Sequence, residues 1–492
     1  MNVIRRLRVL ACALLLVASV RGPVVAQSTT VRAGDLVLRG GWVFDATSDT
    51  VRRNRAIVIR QGKLFDVDAS LGGQDLGTAS VITLDDDAYI LPGLFDLHAH
   101  YAVDLFGEGR VDEYDVNPVL FLANGVTSTF PAGEVDPDGM RAARLRIDAG
   151  HQVGARIHNS GPYFGTARPG WSNAAMTPDS IAAEVDHWAA RGARGFKAKG
   201  ITPVHLEALI GAAHRHGLTV TGHLDSGARN SVNPRDAIRM GIDRIEHFMG
   251  GDAIVADRSA YASLETLDVT QPAVARIFEL YLKHNVRYDA TITAYGYFGE
   301  REPAVYTYWI PEMDFLTAHA REVVEARLPR RVNDQFERIY HVKKREIQAF
   351  FAAGGGDLIT LGTDHPSWGE FFSGFGSHRE LHALVLAGIP PAAALRIGTI
   401  NGARALGLSD RLGTIENGKL ADLFVVSGNP LADIRTTRRV RHVVKAGVHY
   451  DPAQLLASVK GRLGPLTAQD DDAWKGNLRY AEQDTRPSSS KH

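Results

Sequence analysis

Cysteine is almost absent. Cys12 is the single cysteine in 492 residues, and it sits inside an apolar run near the N-terminus. If that run is removed by processing, the mature chain can form no disulfide and no cysteine-ligated metal site. Any metal it holds must then use His, Asp, Glu or Lys-derived ligands. A charge excess is also missing: 55 Lys+Arg face 56 Asp+Glu, a net charge of −1. With no basic stripe and no zinc-knuckle spacing, nothing points to a nucleic-acid partner. Val9 to Val20 is apolar over roughly a dozen residues, short of the about 20 that span a bilayer. No Gly-x-Gly-x-x-Gly follows a first strand, so the main competing architecture, an open doubly wound sheet, lacks its usual signal.

What is present reads as a large globular chain. It is 45% hydrophobic and 23% charged, a balance that excludes disorder and collagen-like repeats. Arg5, Arg6 and Arg8 precede the apolar run, and Val24-Val25-Ala26 offers a cut before Gln27. We therefore expect a signal peptide over 1–26, export to the periplasm or beyond, and no membrane span once it is removed. A buried N-terminal helix is the competing reading. Arg5-Arg6 leaves Sec and twin-arginine export both open.

The middle of the chain repeats one unit. Thr177-Pro178 predicts a capped helix start, with Ile181, Val185 and Trp188 on one face and Gly192 at its end. Gly195 to Lys199 follows as a strand. Thr202-Pro203 opens the next helix, Gly217 stops it, and Leu218 to His223 is the next strand. Asn233-Pro234, Gly241 and the strand Ile242 to His247 repeat the pattern. Alternation of this kind implies a parallel sheet, and residues 92–410 suffice to close a (β/α)8 barrel. The flanks at 27–91 and 411–455 carry short strand-like runs, such as Leu36-Val37-Leu38 and Leu423-Phe424-Val425-Val426, and could pair into one small sandwich. The polar stretch from 466 onward reads as a loose tail, and 456–492 is assigned to it.

The chemistry gathers at strand ends. His98 and His100 are two apart on a strand, so both imidazoles face one side. His223, His247 and Asp364 each close a strand at its C-terminal end, where barrel enzymes place their chemistry. Any one of them could be a strand cap. Together they place polar groups from four strand ends at one rim, and a metal cluster would pair them all. Lys197 and Lys199 share a face of one strand, and a lysine aimed into a barrel mouth is costly unless its charge is used or removed. Spacing does not choose between the two.

Several segments resemble one family: Leu91-Pro92-Gly93-Leu94-Phe95-Asp96-Leu97-His98-Ala99-His100, Gly192 to Lys197, Thr221-Gly222-His223, Ile245-Glu246-His247, Gly362-Thr363-Asp364 and Gly413 to Leu423. The chain resembles the amidohydrolase superfamily over roughly 35 to 450, nearest its imidazolonepropionase-like and prolidase-like branch. The resemblance implies an α/β fold: a (β/α)8 barrel plus a composite β-sandwich from both chain ends. It implies two divalent ions, with zinc the expected metal. His98, His100 and Asp364 would hold one and His223 and His247 the other. Lys197 would bridge them as a carbamate, with Lys199 the second choice. It further implies that a metal-bridging hydroxide attacks the substrate while Asp364 acts as general base.

Three alternatives compete with amide hydrolysis. A lactonase or phosphotriesterase could use the same site. A deaminase of the superfamily would want a glutamate three residues after His223, where Ser226 stands. An inactive metal-binding scaffold would be expected to have lost ligands. For the substrate, a small amide or peptide-like molecule, His158, Tyr163, Arg168 and Trp171 are candidate contacts. So are Tyr295, Tyr297, Phe298, His365, Trp368, Phe371, Phe372 and Phe375, which together suggest an aromatic or bulky group. A homo-oligomer is compatible with all of this.

Overall fold

The computed structural model describes residues 29–475, apart from 108, 169, 228–230, 257, 300–301, 307–311, 328–332 and 367–371. The expected signal at 1–26 lies outside these residues. The local signals of the central repeat translate directly into elements. Thr177 accepts from the Ser180 amide and completes a capping box at the helix Pro178–Ala190, which buries Ile181, Val185 and Trp188. Asn233 caps Pro234–Met240 through the Arg235 amide, and Gly241 ends that helix in the left-handed region at φ 99°. Helix Pro203–Arg215 also begins at its proline, but Thr202 makes no side-chain cap. The Thr202 hydroxyl lies 2.7 Å from His205 Nδ1 instead.

These helices alternate with short parallel strands in two groups. Leu94–Ala99, Val126–Pro131 and Arg156–Ile157 form a three-stranded sheet. Tyr163–Phe164, Gly195–Lys199, Thr219–His223, Arg244–Glu246, Arg287–Asp289 and Ile359–Thr360 form a six-stranded one, in chain order. Backbone hydrogen bonds link the groups. Leu97 N donates to Leu361 O and Asp364 N to His98 O, both at 2.9 Å, while Arg194 N reaches Asn159 O at 2.8 Å. The strand expected over 242–247 is shorter, because His247 turns out of it at φ 69°.

Both chain ends meet in one eight-stranded mixed sheet. Its unforeseen element is the long strand Ser80–Pro92, parallel to Leu36–Val43 on one side and antiparallel to Leu423–Ser427 on the other. Side chains alternate between its faces as strand geometry requires. Leu423 and Val425 pack with Leu36, Leu38, Ile57 and Ile59, whereas Phe424 and Val426 join the large core shared with the parallel strands. Close docking explains Gly125: an added Cβ would stand 2.6 Å from the Phe424 ring.

The C-terminal boundary needs correction. Helix Pro452–Val459 runs across the division expected at 455 and buries Leu455 and Val459. The stretch from 466 is not loose over its described part. It forms turns at Ala468–Asp470 and Asp471–Trp474, and Asp471 meets His319 Nε2 at 2.8 Å. Among the described residues no helix is long and apolar enough to cross a membrane.

Candidate metal centre and active site

The strand ends bring the singled-out residues together. The His98 ring centroid lies 5.3 Å from that of His100 and 4.9 Å from that of His247. His223 lies 4.3 Å from His247 by the same measure. Asp364 Oδ1 is 2.7 Å from His100 Nε2 and 3.4 Å from His98 Nε2. Lys197 is sealed from solvent and pairs with the buried carboxylate of Glu246, which lies 3.6 Å from His98 Nδ1. Lys199, on the same face of the strand, is half-buried and stands in register with His223.

Two groups of three could each hold an ion: His98, His100 and Asp364, and His98, Glu246 and His247. Within each group the ligand atoms lie within 4.8 Å of one another. The protonation states suit that use. Burial pushes His98, His223 and His247 well below the usual imidazole range, and His100 down to about 4. All four are therefore neutral at pH 7, the form that ligates metals. For Asp364 burial works against ionisation, but the neighbouring His98 and His100 rings outweigh it, and its carboxyl is held well below the usual range. His98 Nδ1 is buried without a hydrogen-bond partner, and so are both oxygens of Asp289, 3.7 Å away at closest. Orphaned polar atoms in a sealed space are costly, and a bound cation would satisfy them.

The backbone is bent to build this arrangement. His247, Thr291 and Asp364 adopt φ of 69°, 48° and 59°. A non-glycine residue there costs about 1–3 kcal/mol, and such residues concentrate at functional sites. His247 is held on every side. Its carbonyl accepts from buried Lys343, which also meets Glu346, and lies 3.0 Å from Tyr288 Oη, whose one proton goes either to that carbonyl or to Glu346 Oε2 at 2.7 Å. The Thr291 hydroxyl donates to Ala290 O, so it accepts from His247 Nδ1–H at 2.8 Å and leaves the Nε2 lone pair free for a ligand. Gly362 passes so close to Asp289 and His98 that an added Cβ would collide with both.

The model of the amidohydrolase family matches residues 89–449. The chain belongs to the amidohydrolase family. It is a hydrolytic enzyme acting on carbon–nitrogen bonds. Its fold is shared with a Xaa-Pro dipeptidase crystallised with methionine in its active site (TM-score 0.63, 22% identity, covering 85% of this chain and 100% of that one). It is shared equally with molinate hydrolase (TM-score 0.64, 20% identity, covering 89% and 99%). Adenine deaminase 4 of Rhizobium meliloti (strain 1021) is 40% identical over 93 residues, which cover 17% of this chain and only 15% of the deaminase. The family is generally metal-dependent, and the two three-residue groups give this amidohydrolase places to hold an ion.

Around the cluster, several expected substrate contacts turn out to be elsewhere. Arg168 pairs with Glu184, and Trp171 packs edge-on against Phe164 and His205. His158 stacks on Phe95 and lines a different cavity. Phe372 and Phe375 pack with Phe315. Trp368, Phe371 and the Phe298 side chain lie outside the description. Tyr295 does reach the site, with its ring 6.3 Å from His247, and Tyr297 sits 5.8 Å from His365. Burial raises the Tyr163 phenol, and the Asp364 charge acts on it in the same direction. Sequence reasoning missed four residues of this amidohydrolase site. Asp289 ends a strand just as Asp364 follows one, and that shared pattern was the available signal. Glu246 adjoins His247 but was passed over as its neighbour. Tyr261, whose hydroxyl is 3.3 Å from His223 Nε2, and Lys343 arrive from distant helices with no local signal.

Proposed function

We propose that this amidohydrolase is a binuclear hydrolase that cleaves an amide, peptide or cyclic amide bond in a small, partly aromatic substrate. The observation that carries this reading is the convergence of His98, His100, His223, His247, Asp364 and a solvent-sealed Lys197 at one set of strand ends. His98, His100 and Asp364 would hold one ion and His223 and His247 the other. Nitrogen and oxygen donors favour zinc. Bound cations supply Lewis acidity and draw the pKa of a water from 15.7 towards about 7. Asp364 takes the proton from the attacking water and returns it to the leaving nitrogen. Tyr261 and Tyr295 wall the space beside His223 and His247 and would pack against an apolar substrate group.

The lysine bridge has support of its own. Burial, reinforced by the Lys199 charge, pushes the Lys197 amine well below its usual range and so favours the neutral form. A carbamate forms when that nitrogen bonds the carbon of carbon dioxide and loses one proton, which Glu246 is placed to accept. Lys199, shifted less by burial, to about 8, remains the second choice. A closed (β/α)8 barrel is supported by the hydrogen bonds at Leu97, Asp364 and Arg194, and a small domain built from both chain ends by the shared sheet. Export rests on the N-terminal signal alone.

Metal analysis of protein purified without chelators, combined with a hydrolysis panel of N-acyl amino acids, dipeptides, cyclic amides and lactones, tests the reading. About two zinc per chain and turnover on an amide are expected. A folded, active, metal-free protein overturns it. The partial likeness to an adenine deaminase favours one second reading, amine release from a heterocycle, and ammonia formation from aminopurines would identify it.

A further inference from the structure

A cavity of about 200 Å³ opens where the parallel strands begin, at the end opposite the metal-ligating residues. Arg144, Arg156, Arg194, Arg411, His158 and Asp148 contribute its charged and polar lining. Arg156 is matched by Asp422 at 2.5 Å. Arg144 donates to the Arg191 carbonyl at 3.0 Å and lies 3.7 Å from Asp148. Those two arginines have ordinary structural work, capping a helix end and tying the end sheet to the strands. Arg194 and Arg411 do not: among the described residues their side chains have no hydrogen-bond or ion-pair partner. His158 adds a second, independent observation. It is 5% exposed, stacked on Phe95, and its Nε2 is buried without a partner. Burial and then the surrounding guanidinium charges push its ring down to about 3, so it is neutral and can present one N–H.

Four guanidinium groups against two carboxylates leave an excess of positive charge in a small concave space. Like charges so placed repel, and planar guanidinium forks match oxyanions two bonds at a time. We propose that this cavity binds a small multivalent oxyanion of the phosphate or sulfate class, held by Arg194 and Arg411 with a ring N–H of His158 as the inner donor. The site is independent of the hydrolytic reading above. Its walls come from helix Pro137–Asp148, strand Arg156–Ile157, the turn before Gly195 and the segment 408–420 that leads into Leu423. A ligand there clamps the parallel strands to the end sheet, so it raises stability rather than rate.

Calorimetric titration and thermal melts of the full-length, metal-loaded protein with inorganic phosphate and with sulfate, at ionic strength matched by sodium chloride, test this. Both anions are expected to bind with a Kd below about 1 mM and to raise Tm by a few degrees at saturation, as ligand linkage requires. Arg194→Ala/Arg411→Ala should weaken binding at least tenfold while keeping parental turnover and parental anion-free Tm. His158→Phe, which keeps the ring stacking, should weaken it several-fold. No response beyond that of chloride, or equal affinity in the double variant, overturns the proposal. So does a signal that survives in the double variant but disappears in Lys197→Ala, because that places the anion at the hydrolytic site.

Discussion

The helices within residues 177–241 and the strand ends at 197, 223, 246–247, 289–291 and 361–365 obey opposite rules. In the first group the local preferences agree with the outcome except at Thr202, which does not cap: threonine or asparagine before proline, an apolar face at helical spacing, glycine at or just after the stop. In the second, three non-glycine residues take left-handed backbone, the buried Asp289 carboxylate lacks hydrogen-bond partners, and Lys197 is sealed against Glu246. Natural chains break local rules where function demands it and hold the strain with surrounding contacts. The contrast therefore separates scaffold from machinery, and mutations should behave differently on each side of it.

The largest effect is expected at Asp364. Asp364→Asn keeps the shape and one oxygen ligand but accepts no proton. Turnover should fall by about 10² to 10⁴ or more, with a smaller change in KM and most of the metal retained. Metal content, Tm and kcat on one preparation decide it, and a metal-replete variant with parental kcat would show that Asp364 only shapes the strand end. Next comes the choice between lysines. Lys197→Ala should lose far more activity and metal than Lys199→Ala, with partial rescue by short carboxylic acids that fill the bridge. Losing the bridge should also lower the Tm of the metal-loaded protein, a loss the Lys199 variant avoids. Equal activities would sink the bridge. A smaller effect belongs to Glu346, which touches no ligand side chain but holds Lys343 and Tyr288 against the His247 carbonyl. Glu346→Gln should lower metal affinity or activity by about 10 to 100-fold, and unchanged metal affinity would break the link between outer support and ligand geometry. On the scaffold side, Asn233→Ala should cost only about 0.5–2 kcal/mol in a denaturation curve and leave the rate per folded molecule intact. A large kinetic effect there would erase the distinction between the two regions.

The same contrast explains what the sequence disclosed. The repeat at 177–247 was legible because caps, periodicity and glycine stops act within a few residues. His98, His100, His223, His247 and Asp364 were legible because polar residues at the ends of apolar strands violate a strong expectation. Spacing could not separate Lys197 from Lys199, since side chains two apart share a face; only burial distinguishes them. Loop residues were the least readable. His158, Arg168 and Trp171 follow strands in the chain yet pack against Phe95, Glu184, Phe164 and His205, because such short strands do not fix where the next side chain points. Tyr261 and Lys343 reach the site from helices whose return path no local pattern encodes. The strand Ser80–Pro92 was missed for a related reason. Its outer half is polar, and its partners lie at both extremes of the chain.

That strand also sets a timetable for synthesis. Ser80–Pro92 leaves the ribosome early, but the neighbour that covers one of its edges, Leu423–Ser427, is made only after the whole central repeat. At roughly 5–20 residues per second, the wait is some tens of seconds. During that interval the nascent chain carries an open β-edge able to recruit any extended segment nearby. The exposed aspartates at 85, 86 and 87 stand immediately before the uncovered stretch 88–92 and supply negative charge that discourages such pairing until the proper partner arrives.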